Sequence, residues 1–278
     1  MKWLENIRLH LAAFCLPFKF RKIAVHDPGD FYKEAAEYFE AFFADEKDDD
    51  VQFYLDFLRT SGSPVLDAAC GNARIMMPVA SAGHTVAGFD NSLVMLDLAR
   101  RKIRELPREI RDRTHLAAAC MTNIPFKEFF RLAVIPYNSF NHLLTEHEQR
   151  SCLSGIYKAL SAGGWLVVEI LPFHERYYQG VRFRKSGYMP DTGKRAVLYS
   201  SVLHDKENKQ HTVTWYIIEK SGRGRTKRLM SRFTRKDIPQ EVMVSLLEEA
   251  GFIVETTRSS YYGETKSGDK CILICRKS

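Results

Sequence analysis

VLDAACGNARIMMPVASAGHTVAGFD, residues 65–90, is the stretch that decides the fold. Two short apolar runs, Val65-Leu66 and Thr85 to Phe89, enclose a loop of small residues and a helical pattern from Ala73 to Ala82 that Gly83 closes. Ser61-Gly62-Ser63-Pro64 breaks the preceding segment and launches the first strand. Strand, tight loop, helix and strand in this order form the opening of a parallel sheet. In such sheets ligands bind beyond the carboxyl ends of the strands, near the first βα turn. Asp67 to Ala73 occupies that turn. Its small residues let a ligand lie against bare backbone, and Asp67 places a carboxylate at the strand's end. Asp90 ends the second strand at about the spacing where an acid grips a ribose diol. Pro78 stands inside the expected helix, where a missing donor predicts a kink.

The alternation continues outward. Leu93, Leu96, Ala99 and Ile103 stripe a helix begun at Asn91-Ser92, both good caps. Thr114 to Ala119 and Arg131 to Pro136 read as third and fourth strands. Leu153, Ile156 and Leu160 mark a helix ending at Ala162-Gly163-Gly164, and Trp165 to Leu171 is a fifth strand, apolar apart from Glu169. Continuous apolar strands between amphipathic helices predict a parallel sheet covered on both faces. Upstream, the pattern predicts helices over 2–16, 29–44 and 50–60. Downstream, residues 181–234 read as several β segments in antiparallel hairpin style, among them VRFRKSGYM, AVLYSSVLH and TVTWYIIEK. Ile238 to Ala250 resumes the helical pattern, and Phe252 to Thr257 with Lys270 to Arg276 closes the sheet as a hairpin-like pair. In that last strand Cys271, Leu273 and Cys275 share one face, as core residues do.

The chain has 278 residues, 45% hydrophobic and 27% charged, which is enough for one large α/β domain with an insertion. Its six cysteines, at 15, 70, 120, 152, 271 and 275, form no CxxC pair and have no histidine at zinc spacing. This argues against a disulfide scaffold and a structural metal, and fits a reducing, cytoplasmic compartment. The apolar run Leu11 to Phe18 is too short to span a bilayer, so no transmembrane segment is expected. Trp3, Leu4, Ile7, Leu11 and Phe14 recur at helical spacing and predict an amphipathic helix. The acidic run Glu46 to Asp50 reads as a solvated linker or helix start. A net charge of +7 admits nucleic acid or an anionic surface as a partner.

Several segments together resemble class I S-adenosylmethionine-dependent methyltransferases, in the branch that includes glycine N-methyltransferase-like enzymes. DAACGNA, residues 67–73, resembles the family's first motif D-x-G-x-G-x-G, with Ala69, Gly71 and Ala73 at the glycine positions. FDNSLVMLDLARRK (89–102) resembles the acidic ribose site and the helix after it. AVIPYNSFNHLL (133–144) resembles the fourth strand and its loop, and LSAGGWLVVEI (160–170) the helix–turn–strand that follows. The resemblance implies S-adenosyl-L-methionine as cofactor. It implies that Asp67 and the backbone at Ala69 to Gly71 hold the methionine end, that Asp90 binds both ribose hydroxyls, and that Asn91 and Met95 flank adenine or ribose. Where the family places an acid for the adenine amino group, this chain has Cys120 followed by Met121, so packing on Met121 and backbone contacts replace that acid. A nicotinamide dehydrogenase would need G-x-G-x-x-G, and Gly71 is the sole glycine between Pro64 and Gly83.

Methyl transfer is an in-line displacement that needs alignment and exclusion of water; a hydroxyl acceptor generally wants a base, a neutral amine only a hydrogen-bond acceptor. The candidates follow the fourth strand: Pro136 against the cofactor, then Tyr137, Asn138 and His142, with His142 as candidate base. A helix-face histidine is also commonly structural. Glu169 either faces the pocket mouth or pairs with a helix lysine. His174, Tyr177 and Tyr178 are candidates for the acceptor site, and Tyr32 and Tyr38 for lid residues or ordinary core. Ile135-Pro136-Tyr137 is similar to the [DNS]-P-P-[YF] motif of nucleic-acid amino methyltransferases, but Val134 stands where that motif has its polar residue. The basic run Arg223 to Lys236 suits either phosphates or a protected sheet edge.

The expected architecture is thus α/β: a seven-stranded Rossmann-like methyltransferase sheet with N-terminal helices and an added antiparallel β segment. Its expected divisions are a helical lid (1–60), a cofactor-binding core (61–172), a β insertion shaping the acceptor site (173–235) and a C-terminal completion of the core (236–278). The expected function is methyl transfer from S-adenosylmethionine to a small-molecule nitrogen or oxygen. The alternative is a catalytically silent cofactor-binding or RNA-associated protein on the same fold.

Overall fold

The computed structural model describes residues 31–43, 49–172, 180–189, 192–220, 226–262 and 270–278. The expected helix over 2–16, together with His174, Tyr177 and Tyr178, lies outside them. The chain divides into two compact units: residues 45–176, 205–211 and 234–278 form one, and residues 1–44, 177–204 and 212–233 the other.

The larger unit is built on a seven-stranded sheet. Its strands are β1 (Val65–Ala68), β2 (Val86–Asp90), β3 (Thr114–Ala118), β4 (Phe130–Ile135), β5 (Leu160–Ile170), β10 (Phe252–Arg258) and β11 (Cys271–Lys277), in the order β10-β11-β5-β4-β1-β2-β3. β1 pairs in parallel with both β2 and β4, so the strand order reverses on either side of it. That reversal opens a crevice at the carboxyl ends of β1 and β4, the place where such sheets bind ligands. β11 runs antiparallel to β5 and to β10, which is the hairpin-like closure expected from the sequence.

Alternation along each strand feeds two cores. Leu66, Phe89, Ile135, Val168, Leu273 and Cys275 face one side, with helices α5 (Glu146–Ala159) and α6 (Gln240–Glu249). Val65, Val86, Val134, Val167 and Ile274 face the other, with α2 (Asp49–Ser61), α3 (Met76–Ser81) and α4 (Leu93–Arg104). Each fully buried Val, Leu, Ile or Phe contributes roughly 1.5–3 kcal/mol, so these faces fix the register. Ser92 caps α4 by accepting from the Met95 N–H, and Thr145 with Glu148 forms a reciprocal capping box on α5.

Two boundaries differ from the sequence reading. The first crossover helix starts at Met76, after a run of turns, so Pro78 falls in its first turn. There a missing N–H leaves no bond broken, and no kinked long helix is needed. α5 stops at Ala159 and β5 begins at Leu160, upstream of the expected start at Trp165; Gly163, at φ 66°, lies within this strand. The basic run is itself a strand, described below.

The smaller unit holds the sheet β6 (Gly180–Tyr188), β7 (Arg195–Asp205), β8 (Gln210–Lys220) and β9 (Thr226–Lys236), in that order. Helix α1 (Phe31–Phe43) packs against it. The ring of Phe43 stacks on Trp215 at 5.4 Å, and the buried Tyr38 hydroxyl donates to Glu219 Oε2 at 2.6 Å. Tyr38 is therefore a core residue of this unit, with Tyr32 packed beside it. From Thr226 onward the basic run forms the edge strand β9, whose Leu229 and Phe233 point inward. Arginine and lysine on an edge strand oppose pairing with another chain. Among the described residues no helix is long and apolar enough to cross a membrane.

Candidate functional site

The loop leaving β1 takes its shape from three left-handed residues at alternate positions. Ala69, Gly71 and Ala73 have φ of 60°, 53° and 65°, so the pattern D-x-G-x-G-x-G is obeyed by the backbone although two of its glycines are alanines. At Gly71 a side chain would come within 3.2 Å of the Met95 methyl, so this position keeps glycine on space as well as on φ. The Gly71 N–H donates to Asp90 Oδ2 at 2.8 Å, and the Ser92 N–H to Asp90 Oδ1 at 2.8 Å. Asp90 thus ties the loop after β1 to the start of α4. Each of its oxygens keeps a lone pair for a further donor. Burial raises its pKa, and the N–H groups of Ser92, Gly71 and Asn91 oppose that rise. Asn91 is exposed beside it and Met95 is buried.

Asp67 sits at the end of β1 with no exposed surface, and neither carboxyl oxygen has a hydrogen-bond partner among the described residues. Burial lifts its pKa to about 8, against the pull of Arg74 and with the push of Asp90 and Asp50. Arg74 follows the loop and is clamped by Asp50 of α2, Nη1 to Oδ1 at 2.8 Å and Nη2 to Oδ2 at 2.5 Å. A buried acid in this state is costly unless a cation approaches it. One acid lacking a partner beneath the loop and one acid with two spare acceptors suit a ligand that carries an ammonium at one end and a ribose diol further along. S-adenosylmethionine has both, so the residues present fit it.

The loop leaving β4 is also bent. Pro136 is buried; Tyr137 and Asn138 are consecutive left-handed residues, at φ 55° and 59°. Ser139 braces them, its N–H and hydroxyl both donating to the Pro136 carbonyl at 3.1 and 2.8 Å. The Tyr137 ring is 37% exposed, and the Arg74 guanidinium lies 5.7 Å from its centroid. Asn138 Oδ1 is buried without a partner among the described residues. One turn of 3-10 helix, Ser139–His142, follows. His142 is partly buried; burial, then the charges of Arg235 and His211, push its pKa down to about 3. Asn141 is fully buried, and its amide donates to the carbonyls of Leu171 (3.0 Å) and Lys236 (2.7 Å) and accepts from the Leu171 N–H (2.9 Å).

At the end of β3, Cys120 is exposed and accepts from the Thr122 hydroxyl at 3.2 Å, while Met121 packs against the sheet core. Glu169 of β5 is buried: Oε2 accepts from the Tyr261 hydroxyl at 2.6 Å and lies 3.8 Å from Lys270 Nζ. Its lysine comes from the start of β11, not from a helix. Sequence reasoning missed Arg74, Asp50, Asn141 and Tyr261. Asp50 closes the acidic run that reads as a solvated linker or helix start; α2 does start there, and Asp50 is 7% exposed. An acid just inside a helix N-terminus, with an arginine at the end of the cofactor loop, was the available signal.

Residues 65–164, from the start of β1 into β5, match the model of a methyltransferase domain. These residues carry a methyltransferase domain. A protein of Geobacillus sp. (strain WCH70), named as a methyltransferase, is 25% identical to this methyltransferase over 225 residues, 79% of the chain and 86% of the relative. Among solved structures, an S-adenosylmethionine-dependent methyltransferase from Clostridium acetobutylicum superposes with a TM-score of 0.72 at 15% identity, covering 88% of this chain and 98% of that one. CalS10 from Micromonospora echinaspora, an amino pentose methyltransferase with S-adenosylmethionine bound, gives 0.66 at 18% identity over 83% and 91%. At these identities the structures speak for the shared fold of the methyltransferase.

Proposed function

We propose that this methyltransferase moves a methyl group from S-adenosylmethionine to the amine nitrogen of a small molecule. The carrying observation is the pair of acids, Asp67 and Asp90, set on either side of the left-handed loop at Gly71. S-adenosylmethionine, when bound, supplies a methyl group on a cationic sulfur that leaves readily. Asp90 accepts the two ribose hydroxyls with the lone pairs its backbone donors leave open. Asp67 answers the ammonium of the amino-acid end with its own charge. Asn91, Met95, Cys120 and Met121 border the nucleoside, and Pro136 closes the floor.

Tyr137, Asn138 and His142 are the residues on the acceptor side. Two observations favour nitrogen over oxygen. His142, with a pKa of about 3, is neutral at working pH and is too weak a base to take a hydroxyl's proton, whereas a neutral amine needs only alignment and an acceptor for its N–H. KedS8 from Streptoalloteichus sp., with a similar fold, is a sugar N-methyltransferase.

The test is transfer of labelled methyl from S-adenosylmethionine to panels of small amines, matching alcohols and oligonucleotides. Transfer to amines alone supports the reading; transfer confined to alcohols or nucleic acid overturns it, as does silence across all three panels. Because His142 keeps its proton off above about pH 4, the rate profile has no inflection near 6.5 from it, and His142→Gln leaves the shape of that profile unchanged.

A further inference from the structure

Asp67 has more to do than hold a charge. Its carboxyl is fully buried, and both oxygens lack hydrogen-bond partners among the described residues. Groups that bear on its charge come from the elements around it. From α2 come Asp50 and the Tyr54 phenol, from β2 comes Asp90, and from the loop come Cys70 and Arg74. β4 contributes apolar Val134, directly opposite in the sheet, and β2 contributes Gly88. Two of these neighbours are carboxylates. Among the described residues the cation that acts on it is Arg74, which is held in a two-pronged pair with Asp50.

We infer that cofactor binding is coupled to loss of a proton from Asp67: the carboxyl is neutral in the free protein, and its O–H bond breaks, with the proton going to solvent, when the ammonium of the cofactor's amino-acid end is in place. This rests on the cofactor reading above. The carboxyl titrates at about 8 in the free protein, so at pH 7 roughly nine molecules in ten carry the proton before binding. The bound ammonium reverses the balance because an opposite charge nearby favours the ionised form. Affinity is then a function of pH: it rises by about tenfold between pH 6 and 7 and levels off above 8. Asp67 thereby makes the site select for a cationic amino-acid end, since a nucleoside without one would have to displace nothing and would gain nothing from this acid.

S-adenosylhomocysteine keeps the ammonium and is not consumed, so it is the probe. Its binding is measured by calorimetry at pH 7.0 in phosphate and in Tris, whose different heats of protonation report the protons exchanged. The wild-type protein should release most of one proton more than Asp67→Asn does. The ratio of the two affinities, in which titration of the ligand's own amine cancels, should grow about tenfold from pH 6 to pH 7. Asp67→Asn copies the neutral carboxyl in shape, which favours a folded protein. Asp50→Asn is the second variant: removing that carboxylate takes a like charge away from Asp67, lowers its pKa and should make the release at pH 7 measurably smaller than in the wild type. Measurable binding with no proton release by the wild type overturns the coupling, as does equal release by Asp67→Asn. Absence of binding by both S-adenosylhomocysteine and S-adenosylmethionine would instead overturn the cofactor reading itself.

Discussion

The loops leaving β1 and β4 both pass through left-handed backbone, and they fill it with opposite kinds of residue. After β1 the residues at positive φ are Ala69, Gly71 and Ala73, alternating and small. After β4 they are Tyr137 and Asn138, adjacent and large. Left-handed backbone costs a residue with a Cβ roughly 1–2 kcal/mol; asparagine relieves part of that with its short polar side chain, and tyrosine does not. In the first loop the bend clears space, so that something can lie against bare backbone and donors can point at Asp90. In the second the bend aims side chains, and the strain is retained by the two hydrogen bonds that Ser139 donates to the Pro136 carbonyl. Strain of this kind persists where the surrounding structure over-determines it, which is common at sites that do chemistry. One loop is built to receive a ligand, the other to present groups to it.

The largest expected effect breaks the first loop. Asp90→Ala removes the acceptor for two backbone N–H groups and, on the cofactor reading, for two ribose hydroxyls. At about 2 kcal/mol per bond to a charged group, affinity for S-adenosylhomocysteine should fall by roughly a thousandfold in calorimetry, and binding within tenfold of wild type would remove Asp90 from the site. Breaking the second loop reads out as stability. Asn141→Ala deletes three hydrogen bonds made from a fully buried amide to Leu171 and Lys236, leaving buried backbone groups unpaired. It should cost about 3 kcal/mol in denaturant unfolding, and a cost below 1 kcal/mol would mean those bonds do not hold the turn.

How much of this could be read in the chain alone differs between the loops for a physical reason. The first loop writes its shape into residue type, because only small residues tolerate both the φ values and the close approach; Asp67, Gly71 and Asp90 were legible at once. The parallel sheet was legible from Val65-Leu66, Thr85 to Phe89 and the apolar fifth strand, since burial on both faces leaves no polar alternation. The second loop leaves no such trace. Asn138 is a residue type that tolerates positive φ, but nothing local announces it at Tyr137, and the partners that hold Asn141 lie 30 and 95 residues away. Long-range pairing also hid the Arg74–Asp50 clamp and the Tyr261–Glu169 bond, which join residues 24 and 92 apart. β9 lay within the stretch that read as β segments, and its lysines and arginines, which an edge strand carries where a central strand would carry valines, left a phosphate surface and a protected edge both open.

The smallest effect sharpens the comparison most. Ala69→Gly should relieve the left-handed penalty while adding freedom to the unfolded chain, for a net gain of about 0.5–1 kcal/mol. Ala73→Gly relieves the same penalty but also empties the space of a methyl that is fully buried, worth about 0.8 kcal/mol, so the two terms nearly cancel. Tyr137→Gly should likewise leave stability close to wild type, because relief of strain is offset by losing the contact with Arg74, worth roughly 0.5–1 kcal/mol. The two loops then separate on function. Ala69→Gly keeps methyl transfer, since the bend it eases is the one a glycine makes most readily, whereas Tyr137→Gly loses transfer without losing S-adenosylhomocysteine binding. Thermal unfolding, binding and labelled methyl transfer on the three variants decide it. A fall in melting temperature for Ala69→Gly would show that the first loop is not held in left-handed backbone at that residue. Full transfer by Tyr137→Gly would show that the strain after β4 serves packing, and that the aim of the second loop lies with Asn138 and His142 instead.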